Sequence, residues 1–157
     1  MALPNILINP NRIELDEAYL QMAEVWAKRS KANRLQVGAL IVKDKRIISD
    51  GYNGMPSGCE DDVCEYYDGL DEEGDVILKT KSLVLHAESN ALMKLAAAGG
   101  EGAKGATMYI TDSPCPECAK LIKQAGIARV VYRREYRITT GTEMLRSLGV
   151  IVEHVES

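Results

Sequence analysis

Apolar positions recur along this chain with two different periods, and those periods divide it into elements. Between Glu14 and Arg29, the residues Leu15, Ala18, Tyr19, Met22, Val25 and Trp26 fall three and four positions apart, the spacing of one apolar face on an amphipathic helix. An apolar run from Val37 to Val42 is followed by the polar Lys43-Asp44-Lys45-Arg46 and a second run, Ile47 to Tyr52. Two such runs around a polar link predict a hairpin. Strong helix formers from His86 to Ala98, closed by Gly99-Gly100, predict a helix, and Thr107 to Thr111 a strand. Cys115 to Ala125 predicts another helix, Ala128 to Tyr132 a strand, Glu143 to Leu148 a short helix closed by Gly149, and Val150 to Val152 a last strand. Alternating strands and helices imply an α/β fold, a three-layer α/β/α sandwich whose helices cover both faces of a sheet of about five strands. The opening hairpin makes that sheet mixed.

The stretch from Asn53 to about Leu83 breaks the pattern. Gly54, Pro56 and Gly58 punctuate it, and Glu60, Asp61, Asp62, Glu65, Asp68, Asp71, Glu72, Glu73 and Asp75 crowd it. Loops beyond roughly 12–15 residues inside a compact domain are usually functional or disordered, so a binding or assembly role and a solvated acidic loop are both expected readings. The 157 residues suit one domain, 1–157. A formal net charge of −4 argues against nucleic acid and membrane surfaces as partners, because both call for a basic face. The N-terminal MALPNILINP lacks a basic segment followed by an apolar run, and no stretch of about 18 apolar residues occurs anywhere. A cytoplasmic setting is expected, or the host cytoplasm if a virus encodes the chain. In a reducing compartment, four cysteines are better metal ligands or buried thiols than a disulfide framework.

Two segments carry the chemistry: His86-Ala87-Glu88 and Pro114-Cys115-Pro116-Glu117-Cys118. The pairing matches the general signature of zinc deaminases. A catalytic zinc takes three protein ligands and leaves its fourth tetrahedral position to water; His86, Cys115 and Cys118 fit that count. Cys115 and Cys118 stand three apart at a helix start, on one face, where backbone N–H groups and the helix dipole favour thiolate. Pro116 suits the first turn. Glu88, two positions from His86, can lie beside the open metal position only because both sit at a helix start. Zinc lowers the pKa of bound water to about 7, Glu88 takes that proton, and hydroxide held on zinc attacks. Glu88 then protonates the ring nitrogen and the departing amine.

Each group has a plainer reading. Cys-x-x-Cys after a strand also fits a thioredoxin-like redox pair, a buried histidine is often a core residue, and a glutamate near a helix start often only complements the dipole. All four in this order, each at the mouth of a helix, favour a catalytic zinc; a structural zinc would want a fourth protein ligand. His154, the other histidine, sits near the C-terminus with a surface role as default.

Four segments resemble the deoxycytidylate deaminases over about Arg29 to Tyr136: Arg29-Ser30 with Gln36-Val37-Gly38-Ala39; Gly51-Tyr52-Asn53-Gly54-Met55-Pro56-Ser57-Gly58; His86-Ala87-Glu88-Ser89-Asn90-Ala91; and Ser113-Pro114-Cys115-Pro116-Glu117-Cys118-Ala119-Lys120. The second is the most specific. The resemblance implies hydrolysis of deoxycytidine monophosphate (dCMP) to deoxyuridine monophosphate (dUMP), one catalytic Zn²⁺ per chain, and a homo-oligomer, typically a hexamer. It also implies activation by deoxycytidine triphosphate (dCTP) and inhibition by thymidine triphosphate (dTTP), with Mg²⁺ accompanying the effector. It assigns the deoxyribose to Asn53 and the effector to the neighbourhood of Gly51, Tyr52 and Gly54, and it adds Ala87 and Ser113 to the substrate-binding set. Arg29, Ser30, Arg34, Tyr136 and Arg137 become candidates for the substrate phosphate, which needs cationic or hydroxyl donors. Relatives with a second, structural zinc carry a cysteine where Lys31 and Ala32 stand here, and no histidine lies between Gly54 and His86. A single zinc is therefore expected, with Cys59 and Cys64 the remaining thiols. The alternatives are a nucleoside or transfer-RNA deaminase, and a catalytically silent zinc-stabilised module that binds nucleotides or oligomerises.

Overall fold

The computed structural model describes residues 8–157; the first seven residues of the N-terminal segment read above lie outside them. In chain order the elements are α1 (Leu15–Ala27), β1 (Gly38–Lys43), β2 (Arg46–Tyr52), β3 (Glu65–Leu70), β4 (Val76–Thr80), α2 (Ala87–Ala98), β5 (Thr107–Asp112), α3 (Pro116–Gln124), β6 (Arg129–Arg134), α4 (Thr140–Ser147) and β7 (Ile151–His154). Five strands form one sheet in the order β2-β1-β5-β6-β7. The β1 pairings with β2 and β5 are antiparallel, whereas β5, β6 and β7 run parallel, so the sheet is mixed as expected. Asp44 and Lys45 close the first hairpin with φ of 51° and 58°, the paired left-handed conformation that matches the twist of the flanking strands.

Alternation along the strands sorts side chains into two cores. Leu40 and Val42 of β1, Tyr109 of β5 and Val131 of β6 face Tyr19, Leu20 and Ala23 of α1. Ala39, Ile41, Met108, Ile110 and Val130 face the other way, into a core shared with Ala87, Ala91 and Leu92 of α2, Ala119 and Ile122 of α3, and Leu145 of α4. One helix covers one face and three cover the other, which gives the three layers.

Two glycines set how closely the layers meet. A Cβ on Gly38 would lie 2.0 Å from the carbonyl oxygen of Ala23 in α1, and one on Gly51 would lie 2.5 Å from that of Ala87 in α2. The second contact places the start of α2 directly on β2, where Ser49 Oγ donates to the Ala91 carbonyl at 2.6 Å and Asn90 Nδ2 to the Tyr52 carbonyl at 2.8 Å. On the opposite face α1 is held by charge. Arg129 bonds Asp16 at 2.6 and 3.0 Å, and the nearly buried Arg133 reaches both Glu17 and Glu24.

The acidic excursion departs from the expectation of a loop. Within it β3 and β4 pair as an antiparallel hairpin across a turn at Asp71–Asp75 whose Gly74 has φ of 88°. Tyr66-Tyr67 and Val76-Ile77-Leu78 are the β-prone residues that form it. No helix among the described residues is long and apolar enough to cross a membrane.

Substituting Gly51→Ala should cost about 2 kcal/mol or more, because backbone rather than a flexible side chain meets the new methyl; chemical denaturation measures it, and an unchanged stability would mean that α2 can shift freely. Acid titration gives a second check. Hydrogen bonding to Arg129 holds the Asp16 carboxyl below its ordinary 3.8. A folded-state value below the unfolded one means that the stabilisation is present above pH 3.8 and is lost as pH falls through the folded value. Asp16→Asn should therefore lose about 1–2 kcal/mol at pH 7, and the wild-type advantage should vanish in strongly acidic buffer; a difference that persisted unchanged there would reject the pair as its source.

Candidate metal centre and active site

Two helices begin at the same place. His86 is the N-cap of α2, with extended backbone at φ −74° and ψ 158°, and it follows the reciprocal Gly54–Leu85 backbone bonds that fix the chain entering the helix. Cys115 is the N-cap of α3, directly after β5, with Pro116 in the first turn. Its Sγ accepts the Cys118 N–H at 3.5 Å, the side-chain capping bond that polar oxygens more often supply. The unpaired N–H groups of that first turn support a negative charge there.

These helix starts bring three donor atoms together. His86 Nδ1 lies 3.2 Å from Cys118 Sγ and 3.6 Å from Cys115 Sγ, and one ligand atom from each residue lies within 4.8 Å of the others. A tetrahedral zinc with ordinary Zn–N and Zn–S bonds separates such atoms by roughly 3.6 Å. The donor set fits zinc, with three ligands and room for a fourth. Among the described residues Cys59 and Cys64 join no such group; Cys64 is buried and Cys59 exposed.

The local electrostatics follow from crowding. A hydrogen bond from Cys118, helped by His86 and opposed by burial, holds the Cys115 thiol down at about 3. The Cys115 thiolate and burial together push Cys118 upward. The same thiolate raises His86 against the effect of its burial, and Glu88 adds to the rise. Glu88 is 5% exposed, and burial lifts its carboxyl to about 7.

A pocket of about 440 Å³ opens over this centre. Of the residues expected from sequence, His86, Ala87, Glu88, Cys115, Asn53, Ser113, Arg34, Tyr136 and Arg137 all line it, and Cys118 lies buried behind. Arg29 and Ser30 do not line it. Arg29 is exposed just past the end of α1, and the Ser30 hydroxyl is spent inside the fold, donating to the Asn53 carbonyl at 2.8 Å and accepting from the Ala32 N–H at 3.2 Å. Asn53 bridges to the neighbouring loop: its Oδ1 accepts from Val37 N–H at 2.9 Å and its Nδ2 donates to the Leu35 carbonyl at 2.8 Å. Each of its polar atoms keeps one further bond for a ligand. Ser113 Oγ accepts the Tyr136 N–H at 2.6 Å, which fixes the loop that carries Tyr136 and Arg137. Tyr52 packs edge-on against Trp26, ring centroids 5.7 Å apart. Gly51 and Gly54 lie on either side of it along the strand edge, Gly51 beneath α2 and Gly54 bridged to Leu85.

The pocket also contains residues that local sequence did not mark. Glu65, Thr80 and Val84 come from the acidic excursion, and Asp112 from the end of β5. Asp112 is raised by burial against the opposing pull of Arg134, with which it pairs at 2.7 Å. The only sequence signal for the first group was the pair of β-prone runs on either side of Asp71–Gly74.

The family pattern for the cytidine and deoxycytidylate deaminase zinc-binding region matches residues 13–134. The chain is 38% identical over 149 residues to ComE operon protein 2 of Bacillus subtilis, covering 92% of this chain and 73% of that one. It is 43% identical over 122 residues to the deoxycytidylate deaminase of Homo sapiens, covering 76% of this chain and 65% of the human one. Against the solved structure of dCMP deaminase from cyanophage S-TIM5 in complex with dCMP and dUMP, the TM-score is 0.79 at 42% identity, covering 92% of this chain and 100% of that chain.

Metal analysis of the purified protein should return one zinc per chain, and Cys118→Ser should lose most of it, since removing one of three protein ligands leaves two. Two tightly held zinc ions per chain would overturn the single-site reading, and full occupancy in Cys118→Ser would overturn the ligand set.

Proposed function

The chain belongs to the cytidine and deoxycytidylate deaminase family, and we propose that it is the enzyme that hydrolyses the 4-amino group of dCMP, giving dUMP and ammonia. The observation that carries this reading is one pocket in which Glu88 and the His86–Cys115 pair share a wall with Asn53 while Arg34 and Arg137 stand in the same lining. The first set suits a base, the second an anionic phosphate. The cyanophage relative, solved with dCMP and dUMP, supports the same substrate.

His86, Cys115 and Cys118 hold the metal. Zinc in that site supplies Lewis acidity that makes water a competent nucleophile at neutral pH. Two thiolates and a neutral imidazole balance its charge, which suits a neutral base. Glu88 carries the protons: it accepts one from the attacking water, delivers it to ring nitrogen 3 so that carbon 4 becomes electrophilic, and passes the second to the amine as the C4–N bond breaks. The Ala87 and Ser113 segments position the base, Asn53 the deoxyribose, and Arg34, Tyr136 and Arg137 the phosphate. Asn53 is itself held by Ser30. Burial of Glu88 keeps competing water from its carboxylate.

Regulation belongs to the same reading. dCTP, with Mg²⁺, activates and dTTP inhibits a homohexamer in the cytoplasm or host cytoplasm, acting near Gly51, Tyr52 and Gly54. Physical support comes from position: that strand edge touches the first turns of α2 through Gly51 and Asn90, so an effector there bears on the helix that carries His86 and Glu88.

The test follows loss of the cytosine absorbance band from dCMP, with deoxycytidine as control and with dCTP or dTTP added. dCMP should turn over in preference to the nucleoside, dCTP should raise and dTTP lower the rate, and Glu88→Gln should reduce kcat by at least ~10²-fold with zinc retained. Near-full activity of Glu88→Gln would reject the proton shuttle, and a zinc-loaded wild type without turnover would make the chain a silent nucleotide-binding module.

A further inference from the structure

One of the groups by which the acidic excursion reaches the pocket is a buried carboxylate. Glu65, the first residue of β3, is 5% exposed. Its Oε2 accepts the backbone N–H of Asn33 at 2.8 Å and of Arg34 at 2.9 Å, and its Oε1 accepts Asn33 Nδ2 at 3.3 Å. Three N–H donors converging on one carboxylate make a strong, directional anchor, because each bond is charge-assisted. At the same end of the hairpin, Thr80, the last residue of β4, stands opposite Glu65 in register and its Oγ1 accepts from the Arg34 guanidinium at 3.1 Å. The hairpin therefore grips one residue twice, by its backbone through Glu65 and by its side-chain tip through Thr80.

The gripped segment has no regular structure of its own. Residues 28–37 link α1 to β1, and four of them, Ala32, Arg34, Leu35 and Val37, line the pocket. Its far end is held by the Asn53 amide; its near end depends on Glu65. A bare surface loop would leave Arg34 to sample many rotamers, and an arginine loses substantial side-chain entropy when a ligand orders it. An arginine already fixed at both ends pays that cost on folding rather than on binding.

We propose that Glu65 is a positioning residue for the substrate phosphate, acting through Arg34, and that the acidic hairpin serves as the support that presents this guanidinium to the pocket. The inference rests on the dCMP reading above. It divides the excursion into two parts with different roles. The outer acidic residues are solvated, whereas the inner end, Glu65 with Thr80, shapes specificity for a phosphorylated substrate over the bare nucleoside. Leaving one carboxylate at the root of an anion site is tolerable because three N–H donors of the loop bond its oxygens and offset its charge.

Glu65→Gln keeps the size of the side chain and removes its charge, while turning an N–H towards Asn33 Nδ2, donor against donor. Steady-state kinetics on dCMP and deoxycytidine should show KM for dCMP rising about tenfold, the size of one charge-assisted hydrogen bond lost, with kcat changed far less. The ratio of kcat/KM for dCMP over deoxycytidine should fall by a similar factor. A purely structural lesion would lower kcat and affect both substrates alike, which would overturn the proposal. Combining Glu65→Gln with Arg34→Ala should add little to Arg34→Ala alone if the carboxylate acts through the arginine; full additivity would also overturn it. Should Glu65→Gln not fold, Thr80→Val, which removes only the bond to the guanidinium, should raise KM for dCMP about two- to threefold, and no rise would count against the proposal. The outcomes separate cleanly: a wild type inactive on dCMP removes the substrate reading and this inference together, whereas an active wild type with an unshifted KM in the variants removes this inference alone.

Discussion

The start of α2 rests on β2 with no side chain between them, and the geometry of the site depends on that contact. Gly51 leaves room for the Ala87 carbonyl where a methyl would lie 2.5 Å from it. Because the helix can settle that low, its N-cap His86 brings Nδ1 to 3.2 Å from a sulfur carried by a different helix on a different strand. Close-packed interiors transmit displacement rather than absorb it, so a helix held higher by even a methyl group would carry the imidazole out of tetrahedral reach of the two thiols. The same low seat buries Glu88 in the first turn of the helix, on the pocket side. The seat of His86 and Glu88 thus depends on one missing Cβ.

The two faces of the sheet are stabilised by different means. Below α2, α3 and α4 the core is aliphatic and rich in alanine, which permits helices to approach closely around the site. Under α1 the apolar contact is smaller, and Arg129 and Arg133 tie the helix to the sheet through carboxylates on α1 and β7. An arginine buried among carboxylates is poor at adding net stability but strict about geometry, since either charge left alone would be costly. The face without catalytic groups is thereby fixed in orientation, and Gly38 sets its distance.

Local chemistry in this chain was legible and long-range chemistry was not. The spacing of two between His86 and Glu88 and of three between Cys115 and Cys118 can be read along the chain because each pair occupies one helix start, where a few residues decide which side chains converge. The periodic elements were readable for the same reason, and their ends moved by at most three residues. The β3–β4 hairpin was hidden because its polar strands carry no core-facing alternation: most of its positions are exposed on both sides. Glu65 looked like one acidic residue among nine, and only the approach of a loop 31 and 32 positions earlier in the chain distinguishes it from the rest. The bonding of Ser30 was hidden for a similar reason. Its hydroxyl lies next to the pocket in sequence terms but turns inward to hold Asn53, a choice set by the fold around it rather than by its neighbours.

The reciprocal hydrogen bonds between Gly54 and Leu85, 3.0 and 2.8 Å long, clasp the two ends of everything between them. The intervening segment is in that sense a cassette: its length and composition can change while entry and exit stay where they are, and none of His86, Glu88, Cys115 and Cys118 need move. Deaminases built on this frame can therefore acquire a new side wall, and with it a new preference for what is attached to the base, by exchanging a single stretch of chain.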